Sequence, residues 1–175
     1  KYYKNLLFRR FFNFTKYILC AKIFLYFYKI YEVKNMNLKE QRQWVLDELS
    51  SVANFWLENG MDKVHGGVYT CLDKEGKVFS TDKSVWMQGR CGWTFAYLCH
   101  VYGVKQEWLD ASKSCIDFLE NYCVNKNADG RLYFTVTEDG KPLRQRRYCY
   151  SEAFYCIANA EYYGITGEKE HLERA

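Results

Sequence analysis

Apolar positions recur with the period of an α-helix in four stretches of the chain. Residues 43–57 and 106–123 carry apolar side chains at i, i+3 and i+4 spacing with polar side chains between them, which predicts two amphipathic helices. Residues 82–101 and 148–163 are apolar on nearly every side, and helices of this kind are predicted to be buried on both sides. The chain is therefore expected to be mainly α-helical.

Two segments between these helices have the pattern of β-hairpins. Residues 68–80 and 132–143 each contain a short apolar run, an acidic turn and a second short run. The turns are expected at Gly76 and Gly140, because glycine supplies the positive φ that a tight hairpin turn needs.

The helices and hairpins belong to an internal repeat. Residues 55–79 and 117–143 share the order of a helix ending in Leu-Glu-Asn, a glycine turn and a hairpin, at an offset of 62 to 64 positions. A repeating pair of one half-exposed and one buried helix predicts a two-layer ring of helices. At roughly 63 residues for each repeat, a ring of six pairs needs nearly 380 residues. The chain is therefore expected to be a fragment of about two repeats.

Composition supports a folded domain and argues against a polyanion-binding one. Of the 175 residues, 49% are hydrophobic and 19% aromatic, which is enough for a real core. The formal net charge is +4, but residues 1–35 hold eight Lys/Arg and one Glu (+7), which leaves −3 for the rest. Neither nucleic acid nor a membrane is expected as a partner of the main domain.

Residues 1–35 differ from the rest of the chain and are assigned separately, as an atypical basic and aromatic leader before the main domain at 36–175. Lysines interrupt its apolar runs, whereas a membrane span needs roughly 20 apolar residues. Because the chain lacks a Met at position 1 and has one at Met36, we expect the leader to be translated non-coding sequence. A basic amphipathic membrane anchor is the alternative.

The eight cysteines do not follow the spacing of a disulfide framework or a metal site. Several pairs lie seven or eight residues apart among apolar neighbours, which places each pair on one helical face. They are interpreted as small core residues in a reducing compartment.

The segment DKSVWMQGRCGW, residues 82–93, places a cation in an aromatic stretch. Trp86 and Trp93 lie four residues before and three after Arg90, so all three are expected on one helical face. A guanidinium is costly to bury unless a polar or anionic group faces it. Two interpretations remain open: an ion pair, for which Glu152 one repeat further on is the candidate partner, or a site for a polar ligand.

The segment FWLENGMDKVHGGVYTCLDKEGKVFSTDKSVWMQGRCGWTFAYL and the later RYCYSEAFYCIANAEYY resemble the amino-terminal part of the N-acylglucosamine 2-epimerase family, also known as renin-binding protein. The resemblance covers residues 38–175, a little under half of such a protein. It implies an all-α (α/α)6 barrel, present here as about two of six helical-hairpin repeats, in keeping with the ring that the repeat predicts.

The resemblance also implies an activity, the interconversion of N-acetylglucosamine and N-acetylmannosamine by removal and return of the proton at C2. Arg90 is then the catalytic cation near the oxygen that gains charge, with Trp86 and Glu152 as substrate-binding residues. The acid/base pair of the family is a pair of histidines from later loops, so the fragment alone is expected to be inactive. Alternatives are another sugar 2-epimerase, an aldose–ketose isomerase or a non-catalytic interaction protein of the renin-binding kind.

The three histidines of the chain match none of those catalytic positions. His65 is expected in a structural turn, His100 in the core and His171 exposed on an outer helix. Neither a metal nor a cofactor is expected in the chemistry. The resemblance further implies ATP as an effector that is not consumed, a homodimer for the full-length protein and a cytoplasmic location.

Overall fold

The structure, a computed structural model, describes residues 37–145 and 148–175. The predictions for the leader, residues 1–35, lie outside the described residues. None of the described helices is long and apolar enough to cross a membrane.

The described helices match the four that the periodicity predicts, with a short fifth at the end. They are α1 (Leu38–Asn59), α2 (Val85–Tyr102), α3 (Gln106–Phe118), α4 (Tyr150–Thr166) and α5 (Lys169–Arg174). A π-helical turn, Leu119–Cys123, continues α3.

Helix α1 begins earlier than its apolar pattern because a capping box precedes it. The side-chain oxygen of Asn37 accepts the backbone N–H groups of Lys39 and Glu40, and the Glu40 carboxylate accepts the N–H of Asn37. This reciprocal arrangement satisfies N–H groups that a helix start otherwise leaves without partners.

Both predicted hairpins are present, and the second gains a strand. Strands β1 (Cys71–Leu72) and β2 (Val78–Ser80) pair antiparallel, as do β4 (Thr135–Val136) and β5 (Pro142–Arg144). Gly76 and Gly140 adopt φ of 86° and 87° in the two turns. A further strand, β3 (Lys83–Ser84), pairs with β4, which delays the start of α2 to Val85.

Helix α2 packs against both α3 and α4. The buried apolar cluster at the hairpin end joins α2, α3 and the second hairpin, and it consists of Val85, Phe118, Leu119, Cys123, Leu132 and Val136. A second cluster of Ile116, Ala158 and Tyr162 joins α3 to α4.

The close approach of α2 to α4 depends on a glycine. A Cβ atom placed on Gly89 would lie 2.7 Å from the Cβ of Phe154 and 2.8 Å from its carbonyl carbon. Because the nearest atoms include backbone, the two helices would have to separate to admit any side chain at Gly89.

Helices α2 and α4 are each open on one face, as expected for inner helices of a ring of which this chain holds about two repeats. Tyr97 and Val101 of α2 and Tyr150 and Ile157 of α4 are exposed large hydrophobic residues, Tyr150 to 58%. Within the described ranges no element covers this face, so the apolar surface that the pattern assigns to the interior is open.

The prediction that the cysteines are core residues holds for three of the seven described and is wrong for Cys149, which is exposed. All seven, from Cys71 to Cys156, are free thiols, and Cys99, Cys115 and Cys123 are buried. Burial raises the pKa of Cys123 to about 12, so this thiol stays protonated.

A buried ion pair joins the turn that precedes β1 to the second hairpin. The Lys83 ammonium is fully buried and donates to Asp62 Oδ2 at 2.7 Å, to the Gly66 carbonyl at 2.8 Å and to the Glu138 carbonyl at 2.9 Å. It also lies 4.2 Å from the ring centroid of Phe118. All three donor positions of the ammonium are therefore used.

A second buried polar side chain fixes the same turn to α2. Gln88 accepts the Val68 N–H at 2.8 Å and donates to the Val68 carbonyl at 2.6 Å, so its amide pairs with the backbone as a neighbouring strand would. Together with Lys83, it fixes the turn against the first two turns of α2.

Lys83→Met is expected to lower the free energy of unfolding by about 3–5 kcal/mol, because it leaves the Asp62 carboxylate buried without a counter-charge. Asp62→Asn in the Lys83→Met background is expected to recover part of that loss. Lys113→Met is the matched control, since its pair with Asp117 is 44% exposed on both sides and its loss costs about 0.5 kcal/mol or less. Urea denaturation measures all four proteins; equal losses for Lys83→Met and Lys113→Met would contradict the role of the buried pair.

The same pair predicts a loss of stability in acid. Burial alone would raise the pKa of Asp62, but the hydrogen bond from Lys83, two backbone N–H groups and the Lys83 charge together lower it from 3.8 to about 2. Since the folded pKa lies below the unfolded one, this stability is present above about pH 4 and is lost as the pH falls towards about 2. Its size is about 2 kcal/mol. Urea denaturation across this range is expected to show a shallower pH slope for Asp62→Asn than for the wild type; an unchanged slope would argue against the lowered pKa.

Gly89→Ala is expected to cost about 1–3 kcal/mol of stability, because the methyl group forces α2 and α4 apart. Gly164→Ala is the matched control: this glycine also lies within a helix, but no atom lies within 4 Å of where its Cβ would be. The control is expected to be neutral or to stabilise by up to about 1 kcal/mol. Thermal or urea unfolding compares the two, and a neutral Gly89→Ala would contradict the close approach.

Candidate active site

Trp86, Arg90, Tyr150 and Phe154 form one surface at the amino-terminal ends of α2 and α4, which we name the Trp86–Arg90 cluster. The Trp86 ring is stacked with those of Tyr150 and Phe154, with centroids 5.7 Å apart in each case and interplanar angles of 20° and 12°. The Arg90 guanidinium carbon lies 5.6 Å from the Phe154 ring centroid. The cluster thus combines aromatic faces with one fixed positive charge.

Local structure explains why these side chains meet. Trp86 and Arg90 lie one helical turn apart on α2, as do Tyr150 and Phe154 on α4, so each pair shares a face of its helix. The contact at Gly89 then brings the two faces together.

Arg90 is exposed and pairs with no carboxylate of residues 37–145 and 148–175. Of the two interpretations of Arg90, the ion pair with Glu152 is therefore not observed. The guanidinium remains open to an approaching polar group, and its contact with the Phe154 ring limits where it can lie.

Glu152 lies in the first turn of α4 but points to a different partner. Its Oε1 accepts the Arg131 Nε–H at 3.4 Å and the Leu132 N–H at 3.2 Å, which ties the segment before β4 to the start of the helix. Its other carboxylate oxygen is buried and has no hydrogen-bond partner among the described residues. A carboxylate at a helix amino terminus is also favoured by the helix dipole.

The two tryptophans differ in their surroundings. Trp93 stacks on Tyr97 at 5.1 Å and packs against the apolar cluster between α3 and α4, so it lies at the edge of the core. Trp86 is half-buried, and its indole N–H is a buried donor without a partner in the described part of the chain.

The structure confirms one of the three histidine predictions. His65 lies in a structural turn, where its backbone N–H donates to Asp62 Oδ1 at 3.1 Å. None of the three histidines contacts a residue of the Trp86–Arg90 cluster within the described ranges.

The predictions for the other two histidines are wrong. His100 was expected in the core, but its side chain is 66% exposed and its Nδ1 lies 2.6 Å from Glu161 Oε1. His171 was expected to be exposed, but it is fully buried and lies 4.6 Å from the Tyr162 ring centroid. Burial lowers the pKa of His171, and the nearby charge of Arg174 lowers it further.

Tyr150 and Phe154 were not identified as site residues from the sequence. The repeat carried a usable signal, because its offset of 62 to 64 positions places Tyr150 near the position that corresponds to Trp86 in the next repeat. Lys83 and Gln88 were also missed as anchors, since nothing local in a sequence shows which distant backbone group a buried side chain will meet.

Comparisons with known proteins identify the family of the chain. The family described as N-acylglucosamine 2-epimerase (GlcNAc 2-epimerase) matches residues 67–175. The N-acylglucosamine 2-epimerase of Rattus norvegicus is 36% identical over 146 residues, and a cellobiose 2-epimerase of Ruminococcus albus is 30% identical over 141 residues. These matches cover 82% and 80% of this chain, but in each case 35% of the relative, so the chain spans about a third of their length.

A solved structure shows the same fold. The cellobiose 2-epimerase from Spirochaeta thermophila superposes with a TM-score of 0.66 at 25% identity, covering 79% of this chain and 35% of the other. The paired helices and their hairpins are therefore part of an (α/α)6 barrel, as the repeat and the resemblance predict. The chain belongs to the N-acylglucosamine 2-epimerase family of sugar epimerases.

Proposed function

We propose that the protein epimerises an N-acetylated amino sugar at C2, interconverting N-acetylglucosamine and N-acetylmannosamine. One observation carries the proposal: the Trp86–Arg90 cluster places a guanidinium that pairs with no described carboxylate beside aromatic faces, in a chain 36% identical to the rat N-acylglucosamine 2-epimerase. Aromatic faces suit the C–H face of a sugar ring, and a fixed cation suits an oxygen that gains negative charge.

The chemistry assigns separate tasks to these groups. Inversion at C2 of the open-chain sugar requires removal of the proton next to the C1 carbonyl and return of a proton to the opposite face. The intermediate is an enolate with its charge on the C1 oxygen, because C2 of the amino sugar carries nitrogen, and Arg90 stabilises that charge by charge-assisted hydrogen bonds. Trp86 and Tyr150 hold the sugar against that cation. Glu152 offers its unpartnered oxygen to a sugar hydroxyl if side-chain movement uncovers it.

Two acid/base groups are still required, one on each face of the intermediate. The described histidines are engaged elsewhere: His65 in its turn, His100 with Glu161 and His171 with Asn159. We therefore infer that the proton-transfer pair lies in the part of the relatives that this chain does not match, and that residues 1–175 alone do not turn over.

A cellobiose-type 2-epimerase is the second candidate. The 30% identity to the Ruminococcus albus cellobiose 2-epimerase and the fold shared with the Spirochaeta thermophila enzyme support it. Both candidate reactions use the same proton transfer at C2. They differ in the part of the substrate beyond the reacting carbons, which the site has to accept.

Substrate profiling of the full-length protein in D₂O tests the proposal. Nuclear magnetic resonance is expected to show N-acetylglucosamine and N-acetylmannosamine approaching one equilibrium with deuterium entering at C2, because the abstracted proton exchanges with solvent. Turnover of cellobiose but not of the amino sugars would select the second candidate, and turnover of neither would reject both.

Arg90→Met in the full-length protein is expected to lower kcat/KM by about 10²–10³-fold, because a preorganised donor to the developing charge is lost. Arg90→Lys keeps the charge but loses the planar fork, so an intermediate loss is expected. Arg42→Lys, an exposed arginine on α1, is the matched control and is expected to leave kcat/KM unchanged. Thermal unfolding verifies that the variants fold. An Arg90→Met enzyme within about threefold of the wild type would contradict the assignment.

A further inference from the structure

A buried histidine faces two carboxylates where α5 packs on α4. His171 Nε2 lies 3.5 Å from Glu168 Oε2 and 3.7 Å from Glu170 Oε1, and the three atoms all lie within 4.8 Å of one another. His171 is fully buried, and its Nε2 has no hydrogen-bond partner among the described residues. We name these three residues the His171 site.

The hydrogen bonds around His171 decide which ring nitrogen carries the proton. The Asn159 amide donates through Nδ2 to the Tyr155 carbonyl at 3.0 Å, which leaves its Oδ1 facing His171 Nδ1 at 2.8 Å. Since Oδ1 can only accept, Nδ1 must be the donor. In the neutral ring Nε2 then presents a lone pair to two carboxylates, an arrangement that repels unless a proton or a metal cation lies between them.

From this geometry we propose that Glu168, Glu170 and His171 bind a divalent transition-metal cation of the zinc type. Imidazole nitrogen and carboxylate oxygen are suitable ligands for such ions. With metal–ligand bonds of about 2.0–2.2 Å, tetrahedral ligand atoms lie about 3.3–3.6 Å apart. The two separations from Nε2, 3.5 and 3.7 Å, therefore require shifts of only a few tenths of an ångström. The ligand atoms all lie within 4.8 Å of one another, so the two carboxylates have to approach each other by up to about 1.5 Å.

The surroundings also supply the outer contacts that metal ligands use. Asn159 holds the imidazole through its second nitrogen, as hydrogen-bond acceptors commonly do for ligating histidines. Arg174 Nη2 donates to Glu170 Oε2 at 3.2 Å, which leaves Oε1 for the cation. Arg174 thereby also offsets part of the carboxylate charge.

The His171 site is separate from the Trp86–Arg90 cluster. Asn159 lies five residues beyond Phe154 on α4, about 140° around the helix at 3.6 residues per turn. A cation there would hold α5 against α4 and would not meet the sugar. The inference is therefore independent of the proposed activity.

Zinc titration of the full-length protein, after dialysis against a chelator, tests the site. Competition with a chromophoric chelator is expected to show that Glu168→Gln/Glu170→Gln binds one fewer Zn²⁺ per chain than the wild type, or binds that ion at least tenfold more weakly. Both carboxylates are about half exposed, so this variant is expected to fold. Glu173→Gln, on the same helix and outside the three ligands, is the matched control and is expected to bind like the wild type.

Two further comparisons distinguish zinc binding at the His171 site from zinc binding at other side chains and from an ion pair without metal. Exposed thiols such as Cys149 bind zinc equally in every variant, so only the difference between variants counts. Zinc is expected to raise the Tm of the wild type and of Glu173→Gln more than that of the double variant. Equal zinc binding and equal Tm shifts in all three proteins would overturn the proposal and leave an imidazolium–carboxylate ion pair as the role of His171.

Discussion

The buried ammonium of Lys83 is the constraint on which the arrangement of this molecule depends. A charge without solvent is tolerated only when its donors are satisfied and a counter-charge is near. The acceptors and the counter-charge come from two segments that lie far apart in the chain, one with Asp62 and Gly66 and the other with Glu138. Because Lys83 also lies in β3, directly before α2, the ion pair sets where that helix starts and therefore where its first two turns point.

The segment around residues 82–93 divides its side chains between two tasks. Lys83 and Gln88 point into the protein and hold the preceding turn, whereas Trp86 and Arg90 meet α4 on another face. Gln88 is two residues from both Trp86 and Arg90, about 200° around the helix, which explains how one short segment serves both tasks. The segment therefore contains a structural anchor as well as residues of the candidate site.

The candidate site was partly predictable from the sequence. Arg90 and Trp86 stand out in the sequence because an arginine in an aromatic stretch indicates a specific role, whether its side chain is buried or exposed. The helical period also places them on one face, as observed. The partner of Glu152 was not predictable, because Arg131 reaches it from the loop before β4 and no local pattern reports that contact. The predictions for His100 and His171 failed for the same reason. The burial of each side chain depends on which residues of the neighbouring helix lie against it, and no local pattern reports them.

The sequence by itself determined the helices, the two hairpins and the repeat that makes them part of a ring, because these follow from local backbone geometry and from the period of apolar positions. Only the tertiary structure decided that β3 pairs with β4 and that His171 is buried facing two carboxylates. These depend on contacts between segments up to 55 residues apart, such as Lys83 with Glu138. The burial of a side chain and its charge partners depend on the residues that surround it in space, and the period of apolar positions does not specify those residues.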